Sequence, residues 1–204
     1  MAVTPYSMNL EEMVEEVRDQ IRDTKKDTQI IRWLNMTGIQ LSARFQIPGF
    51  NSIGSIPVVA GTQTYSLAAD FHWMKRVWIP STTRGIRTLY PVDEKTLISI
   101  APDWNTIQGH ITNYLLNNLS ISLWKIPSYT TVGGNIYYSY IRRPKVLLAD
   151  NLADTSDFPI DFHPVLVQGA LVRGFKMEKN EQFVSAFAEY KDMLNEIKKS
   201  IYSR

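Results

Sequence analysis

The 204-residue chain contains no cysteine. That absence excludes disulfide scaffolds, thiol catalysis, cysteine-ligated zinc and iron-sulfur sites. Histidine is scarce: His72, His110 and His163 fall in separate segments, and none has the His-x3-His or HExxH spacing that sets two metal ligands on one helical face. Missing too are a GxSxG nucleophile elbow, a Walker phosphate loop and a GxGxxG turn opening a helix; Gly133-Gly134 alone suits a hairpin or loop. No metal or other cofactor is expected. Neither sign of charge prevails, since 22 Lys+Arg face 20 Asp+Glu for a net charge of +2, and this gives no general case for binding nucleic acid or membranes. No apolar run reaches the roughly 18 residues of a membrane span; the stretch 164–172 is interrupted by Gln168 and Gly169. Residues 1–12 lack both the basic start and the apolar stretch of a signal peptide. The expectation is a soluble protein that is not secreted by that route. Low-complexity tracts and repeats of roughly 20 to 50 residues are absent.

What remains is an ordinary globular composition, 44% hydrophobic and 11% aromatic, enough for a core that needs no covalent or metal staple. Asn9 followed by Glu12 forms the pattern of a capping box. Leu10, Met13, Val14, Val17 and Ile21 then share one face, predicting an amphipathic helix to about residue 24, with Lys25 and Lys26 at the negative end of its dipole. Asp27 is expected to cap a second helix bearing Ile30, Ile31, Leu34, Leu41 and Phe45, which Pro48 and Gly49 stop. Residues 56–143 turn to Val, Ile, Thr, Tyr and Trp with period two. Strands are predicted at 62–67, 74–79 and 87–90, and a short helix beginning near Asp93. A hairpin follows over 111–126, turning at Asn117-Asn118 because asparagine tolerates positive φ. The strand 135–142 is apolar or aromatic on both faces, so it is either central in a two-layer sheet or covered by another chain.

Pro144 ends that strand, and 147–158 reads as an acidic connector carrying Asp150, Asp154 and Asp157. Asp161 is expected to cap a helix from 162 to about 179, with Pro164 tolerated in its first turn. Asn180 is expected to cap the last helix, whose Phe183, Phe187, Tyr190, Leu194, Ile197 and Ile201 form an a/d-like seam. With under four heptads, packing within the chain is favoured over an intermolecular coiled coil. The predicted fold is α+β: a helical bundle from the N- and C-terminal helices (1–50 and 144–204) with an inserted antiparallel β domain (51–143), sandwich- or barrel-like.

Candidate chemistry is sparse. Asp70 and His72 lie close together, but Asp70 suits the turn before Phe71, and His163 in a first helical turn reads as ordinary surface. Glu11/Glu15 and Glu12/Glu16 have Arg18 and Arg22 nearby and read as a solvated helix face. No catalytic constellation emerges, so no enzymatic activity is expected. Basic clusters at Lys75-Arg76, Arg84 with Arg87, Arg142-Arg143 with Lys145, and Lys198-Lys199 with Arg204 are either solubility residues or phosphate contacts. Interleaved with Trp73, Trp78, Tyr137 and Tyr140, they define an alternative function, a single-stranded nucleic-acid-binding module using the aromatic and basic β region. Tryptophan and tyrosine next to arginine are also what subunit interfaces use at their hot spots.

The order of segments carries a resemblance. Gly61-Thr62-Gln63-Thr64-Tyr65-Ser66-Leu67-Ala68-Ala69-Asp70-Phe71 leading into Lys75-Arg76-Val77 resembles the "y-x-LP-x-DF" step of head-to-tail adaptor (connector) proteins of tailed bacteriophages, including the tail tubular protein A type, with Ala68 where that family more often has Pro. Leu123-Trp124-Lys125-Ile126-Pro127, the strand end Tyr140-Ile141-Arg142-Arg143-Pro144, and Phe158-Pro159-Ile160-Asp161-Phe162-His163-Pro164 before a long last helix are similar to further motifs of the same family. The resemblance implies a non-catalytic virion structural protein, assembled in the host cytoplasm. It would form an oligomeric ring, a dodecamer, that binds the portal protein, extends the DNA channel for non-specific passage of double-stranded DNA, and carries a downstream tail or nozzle protein. On that basis portal contact is expected at Ile197, Lys198, Lys199, Ile201, Tyr202 and Arg204, the subunit interface at Trp73, Trp78, Tyr137, Tyr138 and Tyr140, and the channel lining at Arg84 and Arg87.

Overall fold

Local sequence decides where the first helix begins. Helix α1 (Leu10–Ile21) starts on a complete capping box: Asn9 Oδ1 accepts from Glu12 N at 2.9 Å, and the Glu12 carboxylate accepts from Asn9 N at 2.8 Å. Two more first-turn amides are satisfied from far along the chain, Leu10 N by the Asp154 carbonyl at 2.8 Å and Glu11 N by the Leu152 carbonyl at 3.0 Å. The expected acidic connector is thereby tied to the start of α1. Arg22, at φ +59°, closes α1 in the left-handed region earlier than expected. The computed structural model describes residues 7–22, 27–47, 49–81, 85–128 and 134–202, so Lys25, Lys26 and Pro48 lie outside the described residues.

Asp27 does not act as the expected cap. It is the first residue of α2 (Asp27–Arg44), and its carboxylate instead takes the Arg18 guanidinium of α1 through two bonds of 2.7 and 3.0 Å. After Gly49 the chain leaves this helical unit, Met1–Phe50 with Arg143–Arg204, for a β unit, Asn51–Arg142.

On return, Asn35 in α2 holds the connector by bonding both the N–H and the C=O of Leu147, each at 2.9 Å. A 3-10 turn (Ile160–Phe162) precedes α4 (His163–Glu178), so Asp161 is not the cap either; the N-cap residue is Phe162, which makes no side-chain bond. Helix α4 is buried on nearly all sides among α1, α2 and a last helix, α5 (Phe183–Tyr202), the surroundings that an all-round apolar helix requires. Its Gly169 permits this: a Cβ there would fall inside the contact shell of Thr37 in α2 and 3.1 Å from the Tyr190 ring in α5. The α5 seam departs from expectation at one position. Ala186, Leu194 and Ile197 are buried, whereas Phe187 is 38% exposed, stacked on Phe183 at 5.7 Å with the Lys191 ammonium 4.5 Å above its ring. The smaller Ala186 is buried instead, and its carbonyl accepts from Gln168 Nε2 at 3.1 Å.

The β unit runs β1 (Asn51–Pro57), β2 (Thr64–Ser66), β3 (Phe71–Ser81), β4 (Gly85–Pro91), α3 (Glu94–Ile100), β5 (Gln108–Gly109), β6 (Asn113–Asn117), β7 (Ser120–Trp124), β8 (Ile126–Pro127) and β9 (Asn135–Arg142). Seven strands form one curled sheet in the order β1-β9-β3-β4-β6-β7-β2, with β5 and β8 paired apart. The sheet is mixed instead of purely antiparallel, because β4 and β6 pair in parallel; the crossover this demands is supplied by residues 92–112, including α3 on its Asp93 cap. Val77, Leu89, Ile121, Leu123 and Ile136 fill the concave side at 2% exposure or less. Tyr138 bridges that interior: its phenol oxygen accepts from Ala68 N at 3.0 Å, and its ring covers Gly54, where no Cβ would fit. The hairpin turn sits one residue later than expected, at Asn118-Leu119, with Asn118 at φ +50° and Asn117 paired to Ser120.

Candidate functional surfaces

Alternation along β9 separates its aromatic residues into two populations. Ile136, Tyr138 and Tyr140 point into the core, and Tyr137 with Ser139 points outward. Tyr138 at 3% and Tyr140 at 5% exposure therefore leave the expected subunit interface: both are core residues, packed ring to ring at 5.3 Å. The same burial removes Tyr138 and Tyr140 as stacking platforms for a nucleic acid.

The outward residues assemble across three strands. Tyr137 pairs in register with Trp78 of β3, which pairs with Thr88 of β4. The Trp78 and Tyr137 rings stack at 6.0 Å and 17°, the Arg76 guanidinium lies 5.7 Å from the Trp78 ring centre, and its Nη2 donates to Thr88 Oγ1 at 2.8 Å. Arginine over an indole is a pairing that gains when water is excluded. Bulges between Phe71 and Trp73 and between Met74 and Arg76 reset the alternation, so that Trp73 also faces outward, beside Ile141. Around the stack, Ile53 is 70%, Trp73 66% and Ile86 60% exposed. This is one continuous face of β1, β9, β3 and β4. Of the expected interface residues, Trp73, Trp78 and Tyr137 are brought together. Ile53, Ile86 and Arg76 complete the patch; they escape a residue-by-residue reading because only cross-strand register joins them.

Elsewhere the expected sites disperse. The Asp70 carboxylate accepts from the Tyr140 phenol at 2.9 Å, while His72 is exposed. Burial, then this bond to Asp70, pushes the Tyr140 phenol up to about 12. His163 is not surface: it is 1% exposed, its Nδ1 accepts from Met8 N at 3.1 Å and its Nε2 lies 3.1 Å from the Phe158 carbonyl. Arg87 is exposed on β4; Arg84 lies outside the described residues, as do Arg204 and the Tyr202 side chain. Of the expected portal contacts, Ile197 is buried against the bundle and so leaves the set, Ile201 is half-buried, and Lys198 and Lys199 are exposed. No group of three metal-ligating side chains occurs among the described residues, and none of their helices is long and apolar enough to cross a membrane.

Two grooves flank α5. One, of about 360 Å³, is lined by Arg44, Phe45, Lys191, Leu194, Asn195 and Lys198. The other, of about 270 Å³, has Phe162, Pro164, Val165, Met193, Ile197 and Ile201 for its walls, with Asp161, Glu196 and Ser200 as its polar members. A family model described as SU10 adaptor protein matches residues 8–204. No curated protein matches the chain.

Proposed function

The chain belongs to the SU10 adaptor protein family and so is a bacteriophage head-to-tail adaptor; from that premise we propose a non-catalytic virion subunit that assembles side by side into a ring on the portal protein. Such a ring extends the channel through which double-stranded DNA passes and offers a platform to the tail. A single structural observation supports it beyond family membership: the outer face of the sheet keeps Ile53, Trp73 and Ile86 more than half exposed beside the Trp78–Tyr137 stack. Apolar patches of this kind on a protein surface mark places that another surface covers, and an aromatic cluster with an arginine is the composition of an interface hot spot. Lys199, exposed near the C-terminus, is the proposed portal contact. Arg87 is the proposed channel residue, where contacts to phosphate need to be weak and blind to sequence.

The test is co-purification with the cognate portal followed by negative-stain imaging. The native chain is expected to sit on the portal as a ring. Ile53→Asp, a change at an exposed position, is expected to leave the fold intact by circular dichroism and to weaken assembly by about 30-fold or more, the scale of a hot-spot loss of ~2 kcal/mol. A native chain that stays monomeric with portal at micromolar concentration contradicts the proposal.

A further inference from the structure

The two grooves beside α5 differ in the sign of their charge. The first carries three cations, Arg44, Lys191 and Lys198, and no carboxylate; its floor is Phe45 and Leu194. The second carries two carboxylates, Asp161 and Glu196, and no cation; its floor is Phe162, Val165, Met193 and Ile197. Lys198 and Glu196 are two residues apart, which at 3.6 residues per turn sets them roughly 160° apart around the helix axis. Lys191 and Lys198 repeat at two helical turns along one flank. None of Arg44, Lys191, Lys198, Asp161 or Glu196 forms an ion pair among the described residues.

We infer that these two flanks are the halves of one contact between copies of this chain, the cationic groove of each subunit receiving the carboxylate flank of the next. A ring closed by rotation needs a heterologous contact: two different patches on one subunit, each complementary to the other. The α5 flanks meet that requirement within the helical unit. They differ in charge, each combines an apolar floor with a charged rim, and they face away from one another. Opposite charges across such a contact fix register and reject a flipped neighbour, since like charges would then meet. The inference rests on the ring reading, and it adds which surfaces join and in what sense.

Charge reversal on each flank tests it. Lys191→Glu with Lys198→Glu makes both flanks acidic, and Asp161→Lys with Glu196→Lys makes both basic. All these positions are exposed, so circular dichroism and thermal midpoints should match the native chain. Native mass spectrometry, with the cognate portal as template, should show the native chain in rings and each double variant at least about tenfold less assembled. An equal mixture of the two double variants should regain rings containing both. Native assembly that also weakens with added salt supports the pairing. Rings formed equally well by either variant alone overturn the flank assignment and leave the ring reading standing. So does intact assembly of the lysine variant coupled with loss of binding to double-stranded DNA, which would assign the cationic flank to the channel. A native chain that never assembles overturns both.

Discussion

His163 has both ring nitrogens committed inside the protein, Nδ1 as acceptor from Met8 N and Nε2 facing the Phe158 carbonyl. Only the neutral Nε2–H tautomer satisfies both partners. Burial lowers its pKa, opposed by the bond to the Phe158 carbonyl. Between that depressed value and the ordinary 6.5 the unfolded chain binds more protons than the folded one, so stability falls as pH drops through 6.5 and levels off below the folded value. Thermal midpoints should accordingly fall from about pH 7.5 to about 5.5, and fall less in His163→Phe, which should already be less stable by about 1–3 kcal/mol for the polar groups left unpaired. Nothing in the sequence distinguishes this histidine from a surface one, because its partners arrive from residues 8 and 158. Asn9 and Glu12 are the contrary case: their bonds close within one turn, so spacing alone reveals them. Asn9→Ala should cost ~1 kcal/mol, read as a lower midpoint in denaturant.

Among elements, α4 is the axis of the helical unit, and Gly169 sets how closely α2 and α5 approach it. Alanine is the better helix former by ~1 kcal/mol, yet overpacking a filled interface costs ~1–3 kcal/mol. Gly169→Ala should therefore destabilise on balance, lowering the thermal midpoint of the native chain; a rise would show that α4 has slack. Elements built from local patterns were legible: α1, α2, α3 on its Asp93 cap and the β6–β7 hairpin. The hairpin slipped by one residue because both Asn117 and Asn118 accept a turn, and pairing of Tyr114 with Leu123 selects the register. Strand β1 was not predicted, since Gly54 and three neighbouring polar residues look like loop. Gly54 is there for the Tyr138 ring, a contact across 84 residues of chain. The parallel β4–β6 pair is likewise non-local.

At the scale of the whole molecule, family membership and two kinds of surface point the same way. The α+β plan with its inserted β unit was legible from the change of period near Phe50 and its reversal at Pro144. The contact surfaces were legible only in part, because a sequence shows which aromatics exist and register decides which of them face out. Trp73, Trp78 and Tyr137 do; Tyr138 and Tyr140 serve the core. A protein of this composition has little reason to leave Ile53, Trp73 and Ile86 uncovered unless another surface meets them. The most direct measurement is the native mass of the assembly formed by the full chain with its portal. The account predicts one dominant species whose added mass is a fixed integer multiple of 23.4 kDa, the mark of a closed ring. A spectrum of free monomer and unloaded portal, or a ladder of stoichiometries with no preferred closure, would contradict it.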